Sequence, residues 1–266
     1  MLWRNRPQYC GRLGPVGRSV AAEWIAGPGW RVGSGTVGHS DRNSRRTPVG
    51  LVVRIIVSGL TAAGKTTLCR RLAAGLGLPF LSASRILAEH LSDAGAEWTP
   101  QLDEKRTELS VERAVDAAVR SALRERDAGV FDSWGLPWYS DEPAIRIWLE
   151  SDRASRLRKC HVSYVQRGAP KTSEECASIL DAKDAKSRAV FLANWGFDLF
   201  TDRRPFDLVV DCSAQIPEAT VEQAELGARA TYRAVVTALV DRGLLGADLA
   251  DAGPVGGGGP VVEWRR

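Results

Sequence analysis

The stretch that decides the fold is Gly59–Thr66, which reads GLTAAGKT and fits the pattern G-x-x-x-x-G-K-[ST]. The run LVVRIIVS before it has the β-branched composition of a buried strand, and LCRRLAAGLG after it has a helical pattern. A strand before and a helix after are the context in which this motif binds phosphate groups. We therefore predict a P-loop that holds a nucleoside triphosphate, and we expect the triphosphate to be ATP.

Each part of this loop has a physical task. Gly59 and Gly64 let the backbone curl, so that its amides point at phosphate oxygens, and the helix N-terminus adds partial positive charge. Lys65 supplies a charge for the β- and γ-phosphates, and the hydroxyl of Thr66 can ligate Mg²⁺. The residues that we expect to hold the nucleotide are Gly59, Ala62, Ala63, Gly64, Lys65, Thr66 and Thr67.

Outward from the loop, strand-like and helical patterns alternate. The further predicted strands are PFLS, GVFDS, AIRIWLES and FDLVVDCS. The predicted helices cover residues 65–76, 84–94, 103–127 and 220–242, with more helix between 151 and 200. Strands separated by helices indicate a parallel sheet covered on both faces. The fold class that we predict is α/β, a three-layer αβα P-loop NTPase with a five-stranded parallel sheet.

Composition divides the chain into three parts. Residues 1–50 hold eight Arg, no Lys and only two acidic residues, and their nine Gly and four Pro predict a disordered leader. Such a leader can also be a transit peptide, although its glycines and prolines disfavour an amphipathic helix; translation from near Val52 or Val53 is a third reading. Residues 51–245 form the predicted P-loop domain. Residues 246–266, with the run GGGG, predict a flexible tail.

Charge and cysteines limit the partners and the compartment. The first fifty residues contribute +6 of charge and the rest sums to −2, so the body is not a basic nucleic-acid binder. The five cysteines include no CxxC spacing, which disfavours a disulfide framework or a zinc site. No apolar run is long enough to span a membrane. We expect a reduced, cytoplasmic protein that acts on a small molecule, and the oligomeric state stays open.

A P-loop alone does not distinguish a small-molecule kinase from a switch or motor NTPase. A G-protein requires the base-reading pattern N-K-x-D, which is absent here. A motor carries a strong apolar strand that ends in adjacent acids, and the nearest counterparts are VFDS with Asp132 and VVDCS with Asp211. Arginines cluster far from the loop, as in kinases that close a lid over their substrates. These features favour a kinase.

Four stretches between residues 52 and 215 resemble the cytidylate kinases, especially the short type of archaea and some bacteria. They are RIIVSGLTAAGKTTLCRRLAAGLGLPFLSAS, VFDSWGLPW, IWLESDRASRLRK and SRAVFLANWGFDLFTDRRPFDLVVDCS. The last one is similar to the family ending R-Y … Y-G-I-D … Y-D-L-V-I-D-T-S. The resemblance implies ATP, Mg²⁺, an acceptor-binding helical insertion after the second strand, and a mobile lid. It also implies that Arg156 and Arg188 fold over the transferring phosphoryl group, unless both lie on solvated helix faces.

The chain departs from this family where the family binds the acceptor phosphate. Ala88 stands where the G-x-I-F-R pattern has Arg, and Trp134 stands where the E-G-R pattern has Arg. Asp181 stands where R-E-x-S-D has Arg. Because arginine makes bidentate bonds to phosphate, its loss weakens phosphate recognition. The acceptor is therefore either a nucleotide, as the resemblance implies, or an unphosphorylated nucleoside or other hydroxylated metabolite. A nucleotide-binding regulator without catalysis is a further alternative.

Aromatic residues and one acid mark the predicted acceptor side. Trp134, Trp138 and Tyr139 follow the third predicted strand, where open α/β sheets bind ligands, and they either cover the acceptor or pack in the core. Asp132 can position Mg²⁺ or accept the acceptor's hydroxyl proton, or it can simply cap a turn. The predicted catalytic residues are Lys65, Asp132, Arg156 and Arg188. The predicted acceptor contacts are Ser84, Arg85, Trp134 and Trp138.

Overall fold

The computed structural model of the protein describes residues 53–90, 109–249 and 259–265. The predicted leader of residues 1–50 lies outside them. The strands of the described residues are β1 (Arg54–Gly59), β2 (Phe80–Ser82), β3 (Gly129–Asp132), β4 (Ile145–Glu150), β5 (Leu208–Asp211) and β6 (Val261–Trp264). Their helices are α1 (Lys65–Leu76), α2 (Ala83–His90), α3 (Leu109–Arg124), α4 (Leu136–Tyr139), α5 (Arg153–Gln166), α6 (Ser173–Trp195) and α7 (Val221–Asp241).

All of these strands belong to one sheet, in the order β2-β3-β1-β4-β5-β6. The first five are parallel, which confirms the predicted P-loop sheet, and β6 runs antiparallel beside β5. Parallel strands bring their carboxyl ends to the same edge of a sheet, where α/β proteins bind ligands. The loop after β1 therefore lies between the ends of β3 and β4.

The core lies on both faces of the central strand. All residues of β1 are buried. Ile55 and Val57 pack with residues of α1 and α7, whereas Ile56 faces a cluster with residues of α3. Alternate residues of a strand point to opposite faces, so one strand serves both layers of helices. The result is the three-layer αβα arrangement predicted from the sequence.

Helix boundaries follow local signals. The first helix covers the predicted residues, with Gly64 at φ 105° before it and Gly77 at φ 65° after it. Thr172 and Glu175 form a reciprocal capping box at the start of α6, and Gly196 ends that helix in the left-handed region. The helical region predicted between residues 151 and 200 is thus a pair, α5 and α6, which contact each other.

The structure differs from the predicted flexible tail at residues 261–264, which form β6. The backbone of Arg265 donates to the carbonyl of Asp207 at 2.8 Å, and the ring of Trp264 lies 4.7 Å from the guanidinium of Arg242. Four residues beside a glycine run give too short a pattern to predict a strand. The edge of β5 supplies the missing hydrogen bonds, and this contact is not local in sequence.

None of the helices in the described segments is long and apolar enough to cross a membrane.

Trp264 should contribute to stability, because its half-buried ring packs against the main core cluster. We expect Trp264→Ala to lower the free energy of unfolding by about 2 kcal/mol, since a partly buried aromatic side chain loses part of its transfer energy. Val261→Ala is the control on the same strand, because Val261 is 69% exposed and should change stability by less than about 0.5 kcal/mol. Equal effects in urea unfolding would contradict a docked β6.

Candidate active site

The loop between β1 and α1 has the backbone of an anion-binding turn. Ala62 has a φ of 59°, a left-handed conformation that no other non-glycine residue of the described segments adopts, and Gly64 has a φ of 105°. A Cβ atom on Gly59 would lie 2.7 Å from the carbonyl oxygen of Leu149. The start of the loop thus lies directly against β4, and only a glycine fits there because it has no side chain. The curled backbone leads into the N-terminus of a twelve-residue helix, where phosphate groups bind.

Lys65 is held inside this site. Its side chain is buried, and its Nζ donates to the carbonyl oxygen of Leu60 at 2.9 Å. The same ammonium lies 4.8 Å from the centroid of the Trp134 ring. Burial lowers the pKa of Lys65, while the carboxylates of Asp132 and Asp184 act in the opposite direction. The ammonium is thus held beside the loop by the neutral carbonyl oxygen of Leu60. A phosphate oxygen can replace this carbonyl oxygen as its acceptor.

Thr66, at the start of α1, meets Asp132, at the end of β3. The hydroxyl of Thr66 donates to Oδ2 of Asp132 at 2.5 Å. The register pairs Asp132 with Val57 of β1, so the carboxylate lies beside the base of the loop. Burial raises the pKa of Asp132, and the charge of Lys65 and the hydroxyl of Thr66 lower it. Two oxygens at this place suit a hard divalent cation.

Arg156 contacts the outer side of the same loop. Its Nη1 donates to the carbonyl oxygen of Thr61 at 3.3 Å and also binds Oδ2 of Asp184. Both members of this ion pair have side chains only 7% exposed. The arginine comes from α5 and the aspartate from α6, so the pair ties both helices to the loop. Arg156 is therefore not on a solvated helix face.

The aromatic residues after β3 have different environments. Trp134 lies over Lys65 and stacks on Phe191 with ring centroids 6.4 Å apart, so it borders the phosphate loop. Trp138 stacks on Phe197 at 4.3 Å, and its indole Nε1 donates to Asp202. Trp138 therefore packs in the core, which is one of the two alternatives that the sequence left open for it.

Tyr139 also packs away from the loop. Its hydroxyl donates to Oδ1 of Asp116 at 2.6 Å, and its ring stacks on Trp195 with centroids 4.8 Å apart. Trp195 donates its indole N–H to the other oxygen of Asp116. The buried carboxylate of Asp116 thereby joins three helices, α3, α4 and α6, behind the site.

Other predicted site residues lie further out. Arg188 is half exposed, pairs with Asp198 at 2.5 Å and lies 5.2 Å from the ring of Phe200. These contacts do not join it to the loop. Ser84 and Arg85 are exposed at the start of α2. Asp181, which replaces a family arginine, pairs on the surface with Arg153.

Sequence reasoning missed two residues of this region. Asp184, the buried partner of Arg156, stands three residues after Asp181 in a stretch interpreted only as a blurred family motif. Lys159, three residues after Arg156, donates to the carbonyl oxygen of Ala63 at 3.2 Å. Residues three apart share a helix face, so the position of Arg156 could have indicated Lys159. No pattern in the sequence indicates that α6 contacts α5 at Asp184.

Comparison with known proteins gives one family model and several curated cytidylate kinases. Residues 58–176 match the family model described as an AAA domain. A cytidylate kinase of Pyrococcus abyssi is 29% identical over 183 residues, which covers 64% of this chain and 90% of that protein. A cytidylate kinase of Pyrobaculum aerophilum is also 29% identical, over 61% of this chain and 85% of the relative. The sequence resemblance predicted from the four stretches is confirmed.

Solved structures with a similar course of the chain include an uncharacterized protein of Eubacterium ventriosum, 13% identical with a TM-score of 0.49. The match covers 71% of this chain and 99% of the Eubacterium ventriosum protein. A gluconokinase of Sinorhizobium meliloti is 16% identical with a TM-score of 0.40, over 72% of this chain and 98% of its own. These likenesses are too distant to support any statement about the site.

The buried ion pair should be far more sensitive to substitution than its exposed neighbour. Asp184→Asn leaves the buried charge of Arg156 without compensation, and we expect it to lower the free energy of unfolding by about 3 kcal/mol. Asp181→Asn is the matched control, because Arg153–Asp181 joins the same two helices one turn away with side chains 52% and 60% exposed. It should cost less than about 1 kcal/mol.

Urea unfolding of both variants gives the comparison. A cost for Asp184→Asn no larger than that for Asp181→Asn would mean that the Arg156 pair is not desolvated.

Proposed function

We propose that this chain, an ATP-dependent P-loop kinase related to the cytidylate kinases, transfers the γ-phosphoryl group of ATP to a nucleotide or nucleotide-like small molecule. One observation carries the proposal. The curled loop after β1 has Lys65 inside it and the Thr66–Asp132 oxygen pair at its base. This set of groups can neutralise a triphosphate and hold a cation, which phosphoryl transfer requires.

The residues of the loop fit ATP and Mg²⁺. Thr61 Oγ1 and Arg156 Nε are buried, and neither atom has a hydrogen-bond partner within the part of the chain that the structure describes. Buried polar atoms without partners are costly, so they favour a ligand that supplies acceptors and donors. Thr66 and Asp132 offer oxygens to a magnesium ion, directly or through water. The nest of amides around Gly64 fits the phosphates.

ATP supplies the phosphoryl group, and its magnesium ion shields the charge of the phosphates. Within the protein, Lys65 would exchange its bond to Leu60 for phosphate oxygens. Thr66 and Asp132 would position the cation; alternatively, Asp132 would accept the proton of the acceptor hydroxyl. The amides from Ala62 to Thr67 would cradle the phosphates.

The lid arginines would act at different stages. Arg156 already contacts the loop, but its guanidinium would have to leave the carbonyl of Thr61 and the carboxylate of Asp184 to reach the transferring group. Arg188 is bonded to Asp198 and would have to leave that carboxylate as the lid closes. A planar guanidinium can bridge the equatorial oxygens of the phosphoryl group. Closure would also exclude water, which otherwise accepts the phosphate.

The alternative acceptor is an unphosphorylated nucleoside or another hydroxylated metabolite. It is favoured by Trp134, which occupies the place of a family arginine and presents a ring beside Lys65. An indole can stack on a flat acceptor, but it offers a phosphate dianion one neutral N–H donor instead of the charged, bidentate fork of an arginine. Ala88 and Asp181 remove two further arginines of the family pattern. If no acceptor is phosphorylated at all, the chain is instead a nucleotide-binding regulator.

Lys65 should be required for turnover. We expect Lys65→Ala to lower kcat with ATP by a factor of at least about 100, because a hydrogen bond to a charged group contributes about 1.5–3 kcal/mol and the positive charge is lost as well. Melting of the variant, measured in parallel, should show a folded protein. Near-normal turnover by a folded Lys65→Ala chain would exclude the role given to Lys65.

The acceptor can be identified by ADP release across nucleosides, nucleotides and small alcohols. The alternative acceptor predicts that CMP and dCMP are poor acceptors, with kcat/KM below about 10⁴ M⁻¹s⁻¹, and that an unphosphorylated ring-bearing compound is better. Ala88→Arg restores a family arginine and should raise kcat/KM for CMP by about tenfold, whereas Ala88→Lys, which lacks the fork, should raise it less. If the wild-type chain phosphorylates CMP with a kcat/KM above about 10⁴ M⁻¹s⁻¹, the protein is a plain cytidylate kinase.

A further inference from the structure

We propose that Lys159 is a positioning residue that holds the outer face of the phosphate-binding loop, and that its charge strengthens the binding of polyphosphate. The inference rests on the proposed function in one respect, which is that the loop binds a nucleoside triphosphate. It adds a residue outside the P-loop motif, from a helix that begins almost ninety residues after the loop.

A loop that turns its amides inward turns carbonyl groups outward. These carbonyls need donors, because a buried backbone group without a hydrogen bond is costly. The described contacts supply them in turn. The carbonyl of Thr61 accepts from Arg156, and that of Ala63 accepts from Lys159 at 3.2 Å. The carbonyl of Leu60 accepts from the backbone amide of Ala63 at 3.1 Å and from Lys65, which lies inside the site. Two basic side chains of α5 thus cover two carbonyls on the outer side of one short loop.

Arg156 and Lys159 are three residues apart on α5, so they project from one face of this helix. Their acceptors, Thr61 and Ala63, are two residues apart on the loop. Two side chains one helical turn apart therefore bond two carbonyls of the loop, and these two bonds together fix how α5 is rotated about its axis relative to the loop. Arg156 is neutralised by Asp184, but Lys159 forms no ion pair with any residue that the structure describes.

The ammonium of Lys159 is bonded only to neutral groups. Besides Ala63, it donates to Oγ of Ser151 at 3.1 Å and to Sγ of Cys212 at 3.3 Å. Three acceptors satisfy the three N–H groups of a lysine. Ser151 follows β4 and Cys212 follows β5, so Lys159 also ties the loop to the ends of two strands.

This arrangement leaves a full positive charge behind the loop. The charge is half-buried, and a charge in such a place is screened less than one in open solvent. It adds to the charge of Lys65 and to the helix N-terminus in attracting phosphate. The thiol of Cys212, 3.6 Å from the carbonyl oxygen of Ala63, is too weak a donor to replace the ammonium.

The experiment measures binding of ATP and of inorganic tripolyphosphate by calorimetry to the full chain and its variants. Tripolyphosphate tests the loop without the base or the sugar. Lys159→Met keeps the length of the side chain and removes its charge and donors. We expect it to weaken both ligands by about tenfold and to raise KM for ATP, while kcat at saturating ATP falls less than about threefold.

Two variants separate positioning from general charge and from folding. Lys159→Arg, which keeps charge and donors, should bind both ligands within about threefold of wild type. Lys171→Met is the control, because Lys171 lies at the far end of the helix pair and bonds Glu175; it should bind like wild type. If Lys159→Met is not folded by circular dichroism, Lys159→Gln, which keeps one donor group without the charge, takes its place with the same expected direction.

The outcomes are distinct. Binding by Lys159→Met as tight as that of wild type, or an equal loss in Lys171→Met, overturns the role of Lys159 and leaves the kinase proposal intact. A wild-type chain that binds neither ATP nor tripolyphosphate overturns both.

Discussion

A loop that binds phosphate with its amides must have its carbonyl groups satisfied from behind, and the structure is organised around this constraint. Gly59 brings the loop against Leu149, and the left-handed residues Ala62 and Gly64 curl it. The curl leaves carbonyls on its outer side that accept from Arg156 and Lys159. Both of these donors come from α5, so the loop cannot be described without the helix that packs against it.

The parallel sheet brings the chemical groups together. Strand order places β1 between β3 and β4, so a residue at the end of β3 is next to the start of α1. This is why Asp132, 66 residues after Thr66, lies within hydrogen-bonding distance of it. The Arg156–Asp184 pair then ties the α5–α6 helices to the same loop with charges that would destabilise the fold if either were alone.

The aromatic residues behind the site divide by role. Trp138 and Tyr139 pack in the core and donate hydrogen bonds to the carboxylates of Asp202 and Asp116, and they anchor the short helix α4. Trp134 alone of the three contacts the phosphate-loop lysine. Among the aromatic residues, the alternative acceptor is therefore favoured by one indole ring rather than by a cluster.

The sequence by itself determined the P-loop, the limits of α1 and the five parallel strands, because these depend on local periodicity and on glycines at fixed spacing. It also indicated Arg156. Only the tertiary structure decided that Asp184 and Lys159 join the site, that Trp138 packs in the core and that residues 261–264 form a strand. Each of these depends on contacts between residues far apart in the chain; among them, Lys159 alone had a local signal, which is its helical spacing from Arg156.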